Sequence, residues 1–300
     1  GQDHVTTEVD YTESPPVGGP HDGTWADCTG TVYDVDIRHE NAVHSLEHGA
    51  VWITYDPDAE IDWDAPLDPA LYGLNPEWST LYGTPLWSEM SEEQRITLTR
   101  HEVGSIMMTG IWFEMILQQM ILRDQYVKDP AQAEFRFALT EIADECRHSL
   151  MFARACSAMG VPQYKPHRIN IELARFLKTT AFGETSYGAI LVAEEILDVF
   201  QRGCTSDERV LPFVRTVNEI HVLEESRHMK FAREEVRDSL EGVSWARRQF
   251  SAFAVAVGAY FIVTSLVQPK AFADAGLDVD RARAEAEAAE GEARTLTAAR

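Results

Sequence analysis

Apolar side chains recur at helical spacing through most of the chain, in long runs separated by short polar joints. They predict helices near 91–126, 131–159, 166–178, 184–204, 208–240 and 244–267. Several openings carry cap signals: Ser91 with Glu92 and Glu93 behind it, Asp129 before Pro130, and Ser206 followed by Asp207 and Glu208. The tail, "VDRARAEAEAAEGEARTLTAAR", favours helix but has little apolar face, so fraying or peripheral packing is expected. Residues 1–56 read differently, with turn signals and no helical period; "AVWITYDPD" at 50–58 reads as a short strand stopped by Asp-Pro. The pattern predicts an all-α helical bundle over residues 57–300, preceded by a small irregular or β arm over residues 1–56.

Charged residues inside the apolar runs change this picture. Glu114 stands alone in "TGIWFEMILQQM", and Glu194 and Glu195 stand in "YGAILVAEEILDVF". A lone buried carboxylate costs several kcal/mol, so it must be neutralised, paired or bound to metal. Only one of Glu194 and Glu195 can point squarely inward; Glu194 is the first choice and Glu195 the alternative. Glu145 and His148, in "EIADECRH", are three apart and share a helix face, as do His221, Glu225 and His228 in "HVLEESRH".

Two Glu-x-x-His helices alternating with two single-Glu helices is the ligand arrangement of ferritin-like bundles with a dimetal carboxylate core. The candidate ligands are Glu114, Glu145, His148, Glu194, Glu225 and His228, with His221 as an extra imidazole. Aligning the two motifs sets His221 opposite Glu141, so one metal would be richer in nitrogen ligands than the other. Asp144 and Glu224, which precede the two metal glutamates in equivalent places, are candidates to orient histidines, with solvation at the surface as the alternative. Arg147 and Arg227 could neutralise these carboxylates across the helix interface or simply face water; a single Glu-x-x-His is usually such an ion-pair site, whereas two with buried glutamates in this order point to metal.

Composition narrows the partners. Forty-nine acidic against 26 basic residues give a formal charge of −23, which favours solubility and disfavours a nonspecific hold on nucleic acid or anionic membrane. Cys28, Cys146, Cys156 and Cys204 lack Cys-x-x-Cys spacing, so neither a zinc knuckle nor a redox pair is indicated. The polar opening carries no signal-peptide pattern, and the expected compartment is the cytoplasm. "QFSAFAVAVGAYFIVTSLVQP" (249–269) has the length of a membrane span, but its Gly, Ser, Thr and Gln favour a core helix of the bundle. In the arm, His21, His44 and His48 with Glu47 are ligand types, although histidines in turn-rich segments more often pack or bind backbone groups.

From about residue 55 to the C-terminus the chain resembles the diiron N-oxygenases typified by p-aminobenzoate N-oxygenase. The resemblance is carried by "LYGTPLW", "RHEVGSIMMTGIWFE", "TEIADECRH", "LVAEEILD" and "HVLEESRHMKFAREE". It implies a ferritin-like homodimer that binds two iron ions and uses O2, with electrons from an external donor or reductase, to oxidise an arylamine through hydroxylamine towards a nitro product. By motif it places the ligands on Glu114, Glu145, His148, Glu194, His221, Glu225 and His228. Members of the aminobenzoate type place an arginine a little over one turn before the first ligand glutamate. Here Thr109 stands near that place and no arginine lies between Arg100 and Arg123, which argues against an anionic aromatic substrate. The arm, with "PPVGGPH" and "HSLEHGAVWITYDPD", resembles the opening half of an uncharacterised bacterial family and implies no activity.

Met107, Met108, Phe113 and Leu117 are candidates to line a substrate cavity. The competing readings are a diiron enzyme that hydroxylates or desaturates carbon, a ferroxidase or iron-storage protein, and a structural protein spanning a membrane through 249–269.

Overall fold

A computed structural model describes residues 4–12, 15–27, 33, 35–50, 52, 61–63 and 65–298, with side chains described as far as residue 289. The chain divides into two compact units, Gly1–Glu60 and Ile61–Arg300. The first contains helix α1 (His39–Glu47) among turns and an isolated bridge between His4 and His21. Most of the strand expected at 50–58 lies outside the described residues.

The second unit is helical: α2 (Pro85–Glu89), α3 (Glu92–Asp124), α4 (Ala133–Ala158), α5 (Arg168–Thr180), α6 (Glu184–Thr205), α7 (Pro212–Ser239), α8 (Trp245–Val263), α9 (Pro269–Asp274) and α10 (Val279–Ala298). The long helices match the apolar runs, but only one of the three expected long-helix caps holds. Ser91 forms a full capping box with Gln94, each side chain bonded to the other's backbone N–H. Asp129 instead closes a turn by accepting from Ala131 N, and α4 starts at Ala133 after Gln132. Ser206 ends α6, and α7 starts at Pro212, whose missing N–H suits a first helical turn.

Helix α3 packs against α4 and α6, and α7 packs against the same two, closing a four-helix bundle. Two apolar plugs fill it. One is built around Val103, Met107, Phe152, Leu197, Phe200, Val214 and Val217, the other around Leu117, Ile121, Ala138, Tyr187, Ile190 and Phe231. The first plug uses the N-terminal parts of α3 and α7 and the C-terminal parts of α4 and α6, so α3 and α7 run one way and α4 and α6 the other. The α4–α6 connection, through α5, is therefore the long crossover of a ferritin-like bundle. The candidate ligands occupy the layer between the plugs.

Around the bundle, Gly73 N donates to Thr99 Oγ1 at 3.1 Å, and a Cβ on Gly73 would sit 2.5 Å from Arg100 Cα, so the connector can lie on α3 only with glycine there. The tail packs peripherally: Ala282 of α10 is buried beside Phe272, and Glu285 caps Leu86 N at 2.7 Å.

The expectation of a core helix at 249–269 is not met. In α8 only Ser251 and Ile262 are buried, while Phe250, Phe253 and Tyr260 are each more than half exposed. The bundle core is already closed by four helices, so α8 lies against the outside of α6. Among the described residues, the helix long and apolar enough to cross a membrane is Glu92–Val127, which forms one wall of the bundle.

Glu102 gives a stability test away from the ligands. It is fully buried; its Oε1 accepts from Thr80 N at 2.9 Å and from Thr80 Oγ1 at 2.5 Å, while Oε2 has no hydrogen-bond partner. Burial outweighs those bonds and pushes the carboxyl up to about 7. The folded chain therefore keeps a proton that the unfolded chain releases, and stability falls as pH rises from the ordinary carboxylate value through about 7. The loss is on the order of 3 kcal/mol. Glu102→Gln is expected to flatten the dependence of Tm on pH between about 5 and 8, measured by calorimetry.

Candidate metal centre

Each of the four bundle helices delivers carboxylate or imidazole to one layer. Helix α3 supplies Glu114, α4 supplies Glu141, Glu145 and His148, α6 supplies Glu194, and α7 supplies His221, Glu225 and His228; all are buried. Their ligand atoms fall into overlapping triads, with atoms within 4.8 Å of one another: Glu114–His148–His221, Glu145–His148–Glu225, Glu194–His221–Glu225 and Glu141–Glu145–His228. The structure thus brings together all seven residues chosen from the sequence. Glu195, the alternative to Glu194, points outward to Arg233 at 2.7 Å.

The two Glu-x-x-His motifs are cross-braced. His148 Nδ1 lies 2.8 Å from Glu145 Oε2 and 3.2 Å from Glu225 Oε1; His228 Nδ1 lies 2.9 Å from Glu145 Oε1 and 3.1 Å from Glu225 Oε1. On the far side of each ring, His148 Nε2 meets Glu224 at 2.7 Å and His228 Nε2 meets Asp144 at 3.2 Å. Each helix therefore orients the histidine of the other. Arg147 joins the braces, contacting Asp144 at 2.5 Å and Glu224 at 3.0 Å, while Arg227 lies 3.9 Å from Asp144.

The buried carboxylates crowded into this layer call for positive charge, which the imidazoles supply in part. Burial, with the negative charges of neighbouring glutamates, holds Glu114 and Glu194 well above the usual carboxylate range. Burial also opposes the charge on His148, but hydrogen bonds to Glu145, Glu224 and Glu225 raise it to about 11; His228 is raised by the same kind of contact. Glu145 and Glu225 are lowered, because hydrogen bonds from these imidazoles outweigh their burial. His221 is lowered to about 4 by burial. The Oε2 atoms of Glu114, Glu141, Glu194 and Glu225 are buried without a hydrogen-bond partner. Carboxylate and imidazole donors with unshared oxygens fit a pair of iron ions, for which they would provide both charge and coordination.

Two residues were not counted from the sequence. Glu141, opposite His221 in the motif alignment, lies within reach of Glu145 and His228, so that alignment contained the signal. Gln201 Oε1 accepts from His221 Nδ1 at 2.9 Å, leaving Nε2 towards Glu114 at 3.4 Å. Its place two helical turns after Glu194 puts it on the same face.

Comparison with known proteins agrees with this geometry. The family model described as P-aminobenzoate N-oxygenase AurF matches residues 36–300. The chain belongs to the AurF family. It is also similar to "Uncharacterized protein MT0908" of Mycobacterium tuberculosis, 27% identical over 257 residues covering 79% of this chain and 72% of that protein. "Uncharacterized protein Mb0909" of Mycobacterium bovis is 26% identical over the same shares. Membership and site together make the chain a diiron oxidoreductase of the AurF type.

In this AurF-family chain an apolar cavity of about 300 Å³ lies between α3, α5, α6 and α8 and reaches Glu194. Phe113 and Leu117 line it as expected, along with Trp112, Ala193, Phe253 and Phe261. Met107 and Met108 do not: Met107 belongs to the apolar plug on the other side of the ligand layer, and Met108 Sδ accepts from Tyr164 N at 2.9 Å. Both lie about two turns before Glu114 along α3, at the level of the first plug, whereas the α3 residues that line the cavity begin at Trp112.

Proposed function

We propose that this protein N-oxygenates an arylamine, using O2 and two iron ions held by Glu114, Glu145, His148, Glu194, His221, Glu225 and His228. The observation that carries this reading is the aromatic-walled cavity ending at Glu194, which has the size and lining of a small-molecule site. Bound iron would supply O2 reduction and oxygen transfer.

The chain's own residues supply the setting. Trp112, Phe113 and Phe253 offer flat apolar walls to an aromatic body, and the two plugs keep bulk water from the ligand layer. Gln201, Asp144 and Glu224 hold the three imidazoles in orientation. Asn170 and Ser265 are polar groups in the lining, and no lysine or arginine lines the cavity among the described residues. Thr109, near the place of the expected arginine, is buried and donates to Ser265 O at 3.1 Å. An arylamine without a carboxylate therefore fits better than an aminobenzoate. An external electron donor and a second copy of the chain complete the proposal.

The test is aerobic turnover of iron-loaded protein with a chemical reductant and paired amines, aniline-like and aminobenzoate-like, followed by product mass and fragmentation. Oxygen added at nitrogen, faster for the uncharged amine, is the expected result. Oxygen at carbon would replace this reading with a hydroxylase, and iron oxidation without amine oxidation would replace it with a ferroxidase. Ala193→Phe, which fills the cavity beside Glu194, is expected to lower kcat/KM roughly tenfold or more with iron content unchanged.

A further inference from the structure

We propose that the N-terminal unit holds a second metal site, separate from the bundle, formed by His4, His21, His44 and Glu47 and occupied by a zinc or copper(II) ion that stabilises this unit's fold.

The donor atoms of these residues lie within 4.8 Å of one another. Backbone carbonyls set the histidine tautomers. His21 Nδ1 donates to Gly19 O at 2.9 Å, and His44 Nδ1 donates to Asp22 O at 2.6 Å. Each ring therefore turns an Nε2 lone pair into the cluster, the arrangement by which proteins fix imidazoles for metal. His21 Nε2 is buried, has no hydrogen-bond partner and faces Glu47 Oε2 at 2.9 Å. A lone pair set against a carboxylate oxygen is repulsive unless a cation stands with them. His44 Nε2 faces His48 Nε2 at 2.9 Å, which puts a further imidazole at the edge of the same group.

The composition of this unit supplies an independent reason. Besides Pro16, its buried apolar side chains among the described residues are Ala42 and Val43 alone, while Val17, Trp25 and Val35 stand exposed. The imidazoles of His21 and His44 are buried instead, their rings 4.8 Å apart, with the exposed His4 ring against His44 at 5.1 Å. With so little apolar core among its described residues, a unit this small gains from a cross-link, and a structural metal is one of the few available. Imidazole with a carboxylate suits zinc or copper(II). The expected habit of such histidines, bonding to backbone, is present at Nδ1 and leaves Nε2 for the metal.

The experiment uses the full chain with its bundle loaded with iron. Zinc or copper(II) is added, loose metal is removed, and bound metal is counted by elemental analysis; affinity is read by competition with a chromophoric chelator. His4→Ala and Glu47→Gln change exposed side chains and remove no buried packing, and they accompany the buried His21→Ala variant. One zinc per chain beyond the iron, bound about tenfold or more weakly in each surface variant, is expected. Copper(II) in the same site should show nitrogen hyperfine structure that His21→Ala reduces. Limited proteolysis should find residues 1–60 protected by zinc and cut after chelation, with 61–300 intact. Equal zinc uptake by wild type and both surface variants would overturn the proposal. So would zinc-independent protease resistance of the unit, which would show an imidazolium–carboxylate pair at His21 and Glu47 in place of the metal.

Discussion

Glu225→Ala is expected to empty the bundle of iron and abolish O2-dependent turnover while leaving a folded helical chain. Glu225 Oε1 lies within 3.1 Å of His228 Nδ1, 3.2 Å of His148 Nδ1 and 3.7 Å of His221 Nε2, so it contacts every imidazole of the layer. It also belongs to two of the triads and links the His148 side of the layer to the Glu194 side. Removing it takes away a carboxylate between the two metal positions and leaves the three rings without a common partner. The plugs on either side keep their packing, because Glu225 contributes nothing to them. Iron content by elemental analysis and helicity by circular dichroism check both halves. Retention of a full iron complement would show that Glu225 is a structural ion-pair partner.

Asp144→Ala and Glu224→Ala are each expected to weaken iron binding by roughly 10–100-fold, the usual cost of removing a group that orients a ligating histidine. Neither is assigned as a ligand; Asp144 holds His228 and Glu224 holds His148. Because Arg147 contacts both carboxylates, the two losses should not add. In Glu224→Ala, for example, Arg147 keeps only Asp144 as its partner. Asp144→Asn, which keeps an acceptor but loses the charge, should fall between wild type and alanine. A purely structural role would lower Tm in step with affinity, so iron titration and calorimetry on the same variants separate the two.

Much of this centre was legible because helical spacing is rigid. Three- and four-residue steps leave little choice of face, so Glu145, His148, His221, Glu225 and His228 could be assigned to one interior before any packing was known. Helical geometry allows only one of Glu194 and Glu195 to point inward, and packing decides between them by turning Glu195 out to Arg233. Helix starts were harder to read. Asp129 and Ser206 have the chemistry of caps but are used in a turn and at a helix end, since Pro212 fixes where α7 begins and local hydrogen bonds settle the approach to α4. Helix α8 misled for another reason. An apolar period shows that a face needs a partner, not which one, and here much of that face walls a cavity beside α5 and α6 instead of entering the core. The N-terminal histidines had no period to place them, and only the fold of that unit brings His4 and His21 beside His44.

The most direct test of the central claim is the Mössbauer spectrum of the full chain, reconstituted with iron-57 without oxygen and then exposed to air, with iron per chain measured on the same sample. Two irons per chain in one spin-coupled diferric population are expected. Isolated mononuclear iron, or no iron retained by the bundle, would contradict the account.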